Sequence, residues 1–348
     1  MILNNKLFYF LIFITIVIFI STVVLGVYTL FLRYINRLKG KKWGELEAKW
    51  EPVLLQILSG SFHPELLWNL IKEKEHLYFV DYIQRYAQRL RGTDRDILHD
   101  VASPFIGLVA KQVKTGDPEQ RARAIQTLSL LGMPEYADQI IEALDDSSPL
   151  VAMIAARYLM RRDHPEYSEQ VIKRLHRFTS WSRNLLSSML ARVGSSAVPA
   201  LRETLNNTEN PTLIRAIAGD ALLELNDFES ADLAARILKM ETDRELLASC
   251  LRIVSRVGRP DHIATIIPLC SSSDFVVRAH AFRALGRLAS QEEVNLLRTA
   301  FEDSSSWVAI QAAEGLREGG NLDMLRDIAS SDHPKSDLAK QILAEEMR

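Results

Sequence analysis

Cysteine is nearly absent from this 348-residue chain, which has only Cys250 and Cys270. A disulfide framework is therefore not what holds it together, and both cysteines sit in apolar helical context, reading as small buried hydrophobes in a reducing compartment. Metal-binding patterns are missing as well. None of the eight histidines forms H-E-x-x-H, no two lie four apart, and no C-x-x-C occurs, so neither zinc-type spacing is present. There is no G-x-S-x-G, no G-x-x-x-x-G-K-[ST] and no G-x-G-x-x-G, which removes the nucleophile elbow, the phosphate loop and the dinucleotide fingerprint. No alternating strand pattern appears from residue 117 onward. With no catalytic, cofactor or metal motif, the expectation is a protein that binds rather than catalyses.

A large excess of either charge is lacking too, but the balance of −2 conceals an asymmetry. Residues 1–42 contain Lys6, Arg33, Arg37, Lys39, Lys41 and Lys42 and no acid, which leaves −8 on the remainder. An acidic body excludes generic nucleic-acid binding, since neutralising phosphates drives that association.

What the N-terminus has in abundance is apolar residues. Residues 7–32 are 26 positions without a charge, a helix of roughly 39 Å against a hydrocarbon core of about 30 Å. Phe8, Tyr9 and Phe10 sit at one end and Tyr28, Phe31 and Tyr34 at the other, where aromatic rings prefer the membrane interface. The run is too long for a signal-peptide core, and no small-residue cleavage pair follows it. An uncleaved transmembrane helix is expected. The cluster Arg33, Arg37, Lys39, Lys41 and Lys42 follows the span against one lysine before it. This places the N-terminus outside and the body in the cytoplasm of a plasma (inner) membrane protein, with those side chains at the lipid interface. Thr22 and Gly26 form one small-xxx-small pair, a weak signal for self-association of two such helices.

Four helices are expected next, at about 43–58, 64–72, 76–91 and 94–113, with a break or kink at Ser103-Pro104. From Asp117 a pattern Arg-x-x-Ala-x-x-x-Leu recurs every 31 or 32 residues, seven times. Its first position reads Arg121, Ala152, Arg183, Arg215, Leu247, Arg278 and Ala309. Three residues on stand Ala124, Ala155, Leu186, Ala218, Cys250, Ala281 and Ala312. Four beyond those stand Leu128, Leu159, Leu190, Leu222, Val254, Leu285 and Leu316. A turn residue follows: Gly132, Gly194, Asn226, Gly258, Ala289 and Gly320, with Arg162 the bulky exception. A fixed period of this size is one helical hairpin copied and stacked. The small position is where helices A of adjacent units approach, and the Leu position fills the space between helix A and helix B. The expected fold is all-α: an α-solenoid of helical hairpins, curved as a right-handed superhelix, behind one transmembrane helix. Its divisions are a tail at 1–6, the span at 7–32, a basic segment at 33–42, a helical cap at 43–116 and the repeats with a C-terminal capping helix at 117–348.

The units resemble HEAT-like repeats, specifically the short variety first grouped with phycobilisome bilin lyases. The stretch Arg278-Ala279-His280-Ala281-Phe282-Arg283-Ala284-Leu285-Gly286-Arg287-Leu288 carries the likeness best, and Arg121 to Gly132 is nearly as close. Units two and three depart from it. The resemblance implies protein partners in a groove lined by helices B. Relatives imply a bacterial membrane protein of an envelope or polysaccharide-synthesis assembly. It also keeps two alternatives open, a chromophore-attaching lyase and a periplasmic or secreted binding protein if the N-terminal segment is processed.

Two features break the repeat and are candidate partner contacts. Residues 157–192 hold eight basic and three acidic residues. On helix B of unit two, Val171, Leu175 and Phe178 turn inward, which leaves Lys173, Arg174 and Arg177 exposed beside His176. Trp181 and Trp307 share a register two residues before the repeat's first position. Other units carry mostly apolar residues there, so an inter-unit contact is expected; exposed, these tryptophans are hot-spot candidates.

Overall fold

A computed structural model describes residues 2–90, 92–131, 134–161 and 165–346. Among them the chain is 81% helical, with nineteen α-helices and no strand. It divides into two compact units, residues 1–136 and 137–348.

In the first unit, α1 runs without interruption from Ile2 to Leu58, so the apolar span, the basic segment and the expected 43–58 helix are one rod. Every described side chain from 9 to 34 is exposed. That much uncovered apolar surface is not sustained in water. Burial starts further along, at Leu46, Trp50, Leu54 and Ile57. There α1 meets α2 (Glu65–Trp68), α3 (His76–Ala87) and α4 (Thr93–Thr115). The rings of Trp50 and Phe79 meet edge to face at 5.2 Å, and Phe79 repeats that contact with Phe105 at 5.2 Å. Such pairs add about 1 kcal/mol beyond the area they bury. Helix α5 (Pro118–Leu130) closes this unit, started by a reciprocal Asp117–Gln120 capping box.

Two local expectations are corrected here. The helix expected over 64–72 shrinks to Glu65–Trp68, because the Trp68 indole donates to the Val101 carbonyl at 3.0 Å and the chain turns to reach it. Pro104 does not break α4. Its missing N–H orphans the Asp100 carbonyl, and the Ser103 hydroxyl donates to that oxygen instead, at 3.0 Å.

The second unit begins with α6 (Ala137–Glu142) and continues as alternating A and B helices. Unit two is α7 (Pro149–Leu159) and α8 (Ser168–Ile172); unit three is α9 (Arg183–Ala191) and α10 (Val198–Asn206). Unit four is α11 (Thr212–Glu224) and α12 (Ser230–Met240); unit five is α13 (Arg244–Val257) and α14 (Ile263–Ile266). Unit six is α15 (Phe275–Leu288) and α16 (Val294–Glu302). Unit seven is α17 (Ser306–Glu318) and α18 (Leu322–Ser330), followed by α19 (Ser336–Glu346). Asp243 and Asp274 cap α13 and α15 through their carboxylates, as polar inter-unit turns should.

All fourteen residues of the small and Leu columns are buried, none exposed by more than 3%. The turn column is less uniform. Gly194, Asn226 and Gly320 take positive φ, whereas Ala289 sits in extended backbone, as does Gly258, where a Cβ would lie 2.2 Å from the Val254 carbonyl oxygen. Gly132 and Arg162 lie outside the described residues. Helices A approach to backbone contact: a methyl added at Gly315 would lie 2.3 Å from the Arg283 carbonyl oxygen.

In units four and six the arginine at the repeat's first position is a clamp. The Arg278 guanidinium donates to the Ser272 carbonyl at 2.8 Å, at the end of the preceding unit, and forks onto Asp303 at 2.8 and 3.0 Å, beyond its own helix B. Arg215 repeats this with the Leu205 carbonyl and Glu241. One side chain thus ties the turns on both sides of a unit.

Gly315→Ala is expected to destabilise the protein by about 1–3 kcal/mol through overpacking. Gly107→Ala, which meets nothing within 4 Å, should instead gain up to about 1 kcal/mol from helix propensity. Urea midpoints of the two variants against the parent check both signs.

Candidate partner-binding surface

The basic side chains singled out on helix B of unit two are present but mostly occupied. Arg174 donates to Asp145 at 3.0 Å and to the Gln170 carbonyl at 3.1 Å. Arg177 donates to the Asp146 carbonyl at 2.9 Å. Unit two has Ala152 where others have the clamping arginine, and these two residues hold the same inter-unit turn from helix B. Lys173 and Arg177 are exposed and Arg174 is half-buried, so the basic face is present, with Arg174 and Arg177 also serving the inter-unit turn. Lys173 is exposed and paired with Glu169 at 2.6 Å, one helical turn away. Such an exposed pair contributes little. Lys173 and His176 border a pocket of about 460 Å³ between helices B of units two and three.

Trp307 is 45% exposed and Trp181 is half-buried. Their shared register is thus not a closed inter-unit contact. Leu150 and Leu213, at the same register, are likewise exposed. Of the interfacial cations, Arg33, Arg37, Lys41 and Lys42 are exposed, and the Lys39 side chain lies outside the described residues. Lys42 also stands over the Tyr78 ring at 4.7 Å, which fixes the end of the basic segment to α3. In the span, the Thr22 hydroxyl is spent on the Ile18 carbonyl, and Gly26 meets nothing within 4 Å.

The richer surface runs across the helices A, which the sequence reading passed over in favour of helices B. Five and nine residues past the repeat's first position, each helix A presents one pair of side chains on one face. From unit four onward these pairs are Asp220 and Glu224, Arg252 and Arg256, Arg283 and Arg287, Glu314 and Glu318. Because the helices stack closely, the pairs meet across them. Arg252 reaches Asp220 at 2.6 Å, Arg283 reaches Glu318 at 2.5 Å and Glu314 at 3.1 Å, and Arg287 reaches Glu318 at 3.3 Å. Arg183 adds a second bond to Asp220, at 2.5 Å, and one to Glu245, at 2.8 Å. A pocket of about 330 Å³ opens along this face between Glu224 and Glu318.

Asp220 is buried, which by itself raises a carboxyl pKa, but Arg252 and Arg183 outweigh burial and hold it below the usual range. His280 lines the same pocket. Its Nδ1 is buried without a partner among the described residues. Burial, with Arg252 and Arg283 nearby, pushes its pKa down from 6.5 to about 4. Burial also raises both thiols to about 12, so neither cysteine is a nucleophile at neutral pH. Among the described residues no group of three or more His, Cys, Asp or Glu side chains is placed to hold a metal ion.

Stacked helical pairs with a buried small-residue column define an α-helical repeat array, a class whose members generally mediate protein–protein interaction. The family model for HEAT repeats matches residues 107–186 and 232–317, so those two stretches carry HEAT repeats. Among solved structures, the complex of CpcE and CpcF of phycocyanin lyase from Nostoc sp. PCC7120 is similar at 19% identity. That likeness covers 70% of this chain and 86% of that one, with a TM-score of 0.35. An engineered protein is similar at 15% identity, covering 72% and 70%, with a TM-score of 0.30. Scores of this size are below what a shared global fold produces, so the assignment rests on the repeats. A search of curated proteins found no match. The N-terminal helix is long and apolar enough to cross a membrane, a test that a signal sequence also passes.

His280 generates a pH dependence. Its folded-state pKa lies below its unfolded value, so the unfolded chain takes up the proton first. The stability it contributes is full above about pH 6.5 and is lost as pH falls towards 4, on the order of 3 kcal/mol at most. Urea unfolding at pH 7 and pH 4.5 should show this fall, and His280→Gln should flatten it.

Proposed function

We propose that the chain is a non-catalytic, membrane-tethered adaptor whose HEAT repeats hold a protein partner at the cytoplasmic face of a bacterial plasma membrane. The observation that carries this reading is the continuity of α1. One helix leads from side chains wholly exposed over 9–34 to Trp50 and Leu54, which are fully buried in the first unit. An apolar helix needing lipid and a packed body share a rigid rod, with the cations at 33–42 between them.

Tethering raises the effective concentration of the repeats near membrane-bound partners, so modest affinities suffice. The excess of cations on the C-terminal flank favours a cytoplasmic body. A place in an envelope or polysaccharide-synthesis assembly is part of this reading and rests on resemblance alone. Of the residues singled out in the sequence, Lys173, Trp181 and Trp307 offer surface to a partner, whereas Arg174 and Arg177 act within the array.

The expected outcome is full-length, unprocessed protein that resists alkaline extraction from membranes and is digested by protease only after the cytoplasmic side is opened. Crosslinking of the intact chain in cells should then recover a specific protein partner. A product shortened near residue 30 and released as soluble protein would replace this reading with that of a secreted or periplasmic binding protein.

A further inference from the structure

The charge ladder on the helices A from unit four to unit seven neutralises itself at both ends and fails to do so in the middle. Asp220 is shared by Arg183 and Arg252, and Glu314 and Glu318 answer Arg283 and Arg287. Between these ends the rung Arg252 and Arg256 abuts the rung Arg283 and Arg287, with no acid between them. Arg256 is exposed, and among the described residues its guanidinium meets only the amide oxygen of Asn226, at 3.2 Å. Like charges held side by side on stacked helices repel; Arg252, Arg283 and Arg287 are each offset by a carboxylate on their outer side, whereas Arg256 meets none among the described residues. The pocket of about 330 Å³ lies at this place, bordered by all four arginines, and His280 lines it with a buried, unpartnered Nδ1.

We propose that this pocket is a docking site for a short acidic peptide segment of a protein partner, whose carboxylates complete the ladder between the two arginine rungs. Arginine forks match carboxylates two bonds at a time, and doing so beside half-buried surface strengthens each bond. Length and class follow from the ends of the pocket. Glu224 closes one side and Glu318 the other, so a polyanion that continued past the four arginines would meet carboxylates in both directions. A nucleic acid strand or a polysulfated glycan is disfavoured on that ground. A segment with two to four acids, flanked by neutral or basic residues, fits both the cations and the boundary. Leu223, half-buried at the rim, gives an aliphatic side chain of the segment a place to rest.

The proposal shares with the adaptor reading only the premise of a protein partner. It is tested with the intact protein in lipid nanodiscs and a fluorescein-labelled twelve-residue peptide carrying four glutamates around one leucine. The same peptide with glutamines in their place serves as the control. Anisotropy should report saturable binding of the glutamate peptide that weakens several-fold between low and physiological salt. Arg256→Glu, at an exposed position, should weaken it at least tenfold with an unchanged melting temperature, and Lys173→Glu should leave it unaltered. Equal binding of the two peptides, or an affinity indifferent to Arg256→Glu, would overturn the site. Tighter binding of a single-stranded oligonucleotide through the same arginine would overturn the class of partner. If crosslinking recovers the same partner with wild type and Arg256→Glu, the docking site falls and the adaptor stands. If it recovers none while peptide binding still depends on Arg256, the adaptor falls and the site stands.

Discussion

The close approach of successive helices A is the constraint on which the rest of the array depends. A column of small side chains, buried without exception, lets these helices meet at backbone distance, as Gly315 does against the Arg283 carbonyl. At that spacing the side chains five and nine places along each helix come within ion-pair reach of those on the next. A ladder of carboxylates and guanidinia forms as a consequence of that packing, which the small column and Gly315 both permit. The pocket on this face lies where the ladder has two like rungs in a row.

Arginine does two different jobs in this chain. At the repeat's first position, Arg215 and Arg278 are clamps, each spending its donors on a carbonyl behind it and a carboxylate ahead. Where a unit lacks that arginine, the turn is held by other means. In unit two the substitutes are Arg174 and Arg177, and in unit seven Lys335 donates to the Asp303 carbonyl at 3.0 Å. The local surplus of positive charge around residue 174 is therefore partly a repair of the missing clamp. Arg256, by contrast, is bound among the described residues to nothing but a neutral amide, and its charge is left for solvent or a ligand.

Much of this was legible in the residues. The period placed all fourteen packing positions correctly, because a helix facing a neighbour every 31 or 32 residues must repeat its contacts. The apolar run named the one helix suited to lipid, because length and lack of charge are properties of composition. The reading went astray where a side chain's fate depends on another segment. Trp307 shares an apolar register yet stays exposed, as do Leu150 and Leu213 at the same place in their units. Pro104 reads as a break, but a neighbouring hydroxyl repairs its lost hydrogen bond. Lys173, Arg174 and Arg177 form the patch they read as, but acids some thirty residues back also engage two of them.

The sequence by itself determined the all-helical repeat, its packing columns, the apolar N-terminal helix and the change of charge sign beyond it. These follow from local periodicity and from the solvent each residue type prefers, which need no knowledge of register between helices. Only the tertiary structure decided which charges are satisfied and which are left over. A charge is neutralised by whatever lies within a few ångströms, and that distance is set by how the helices stack.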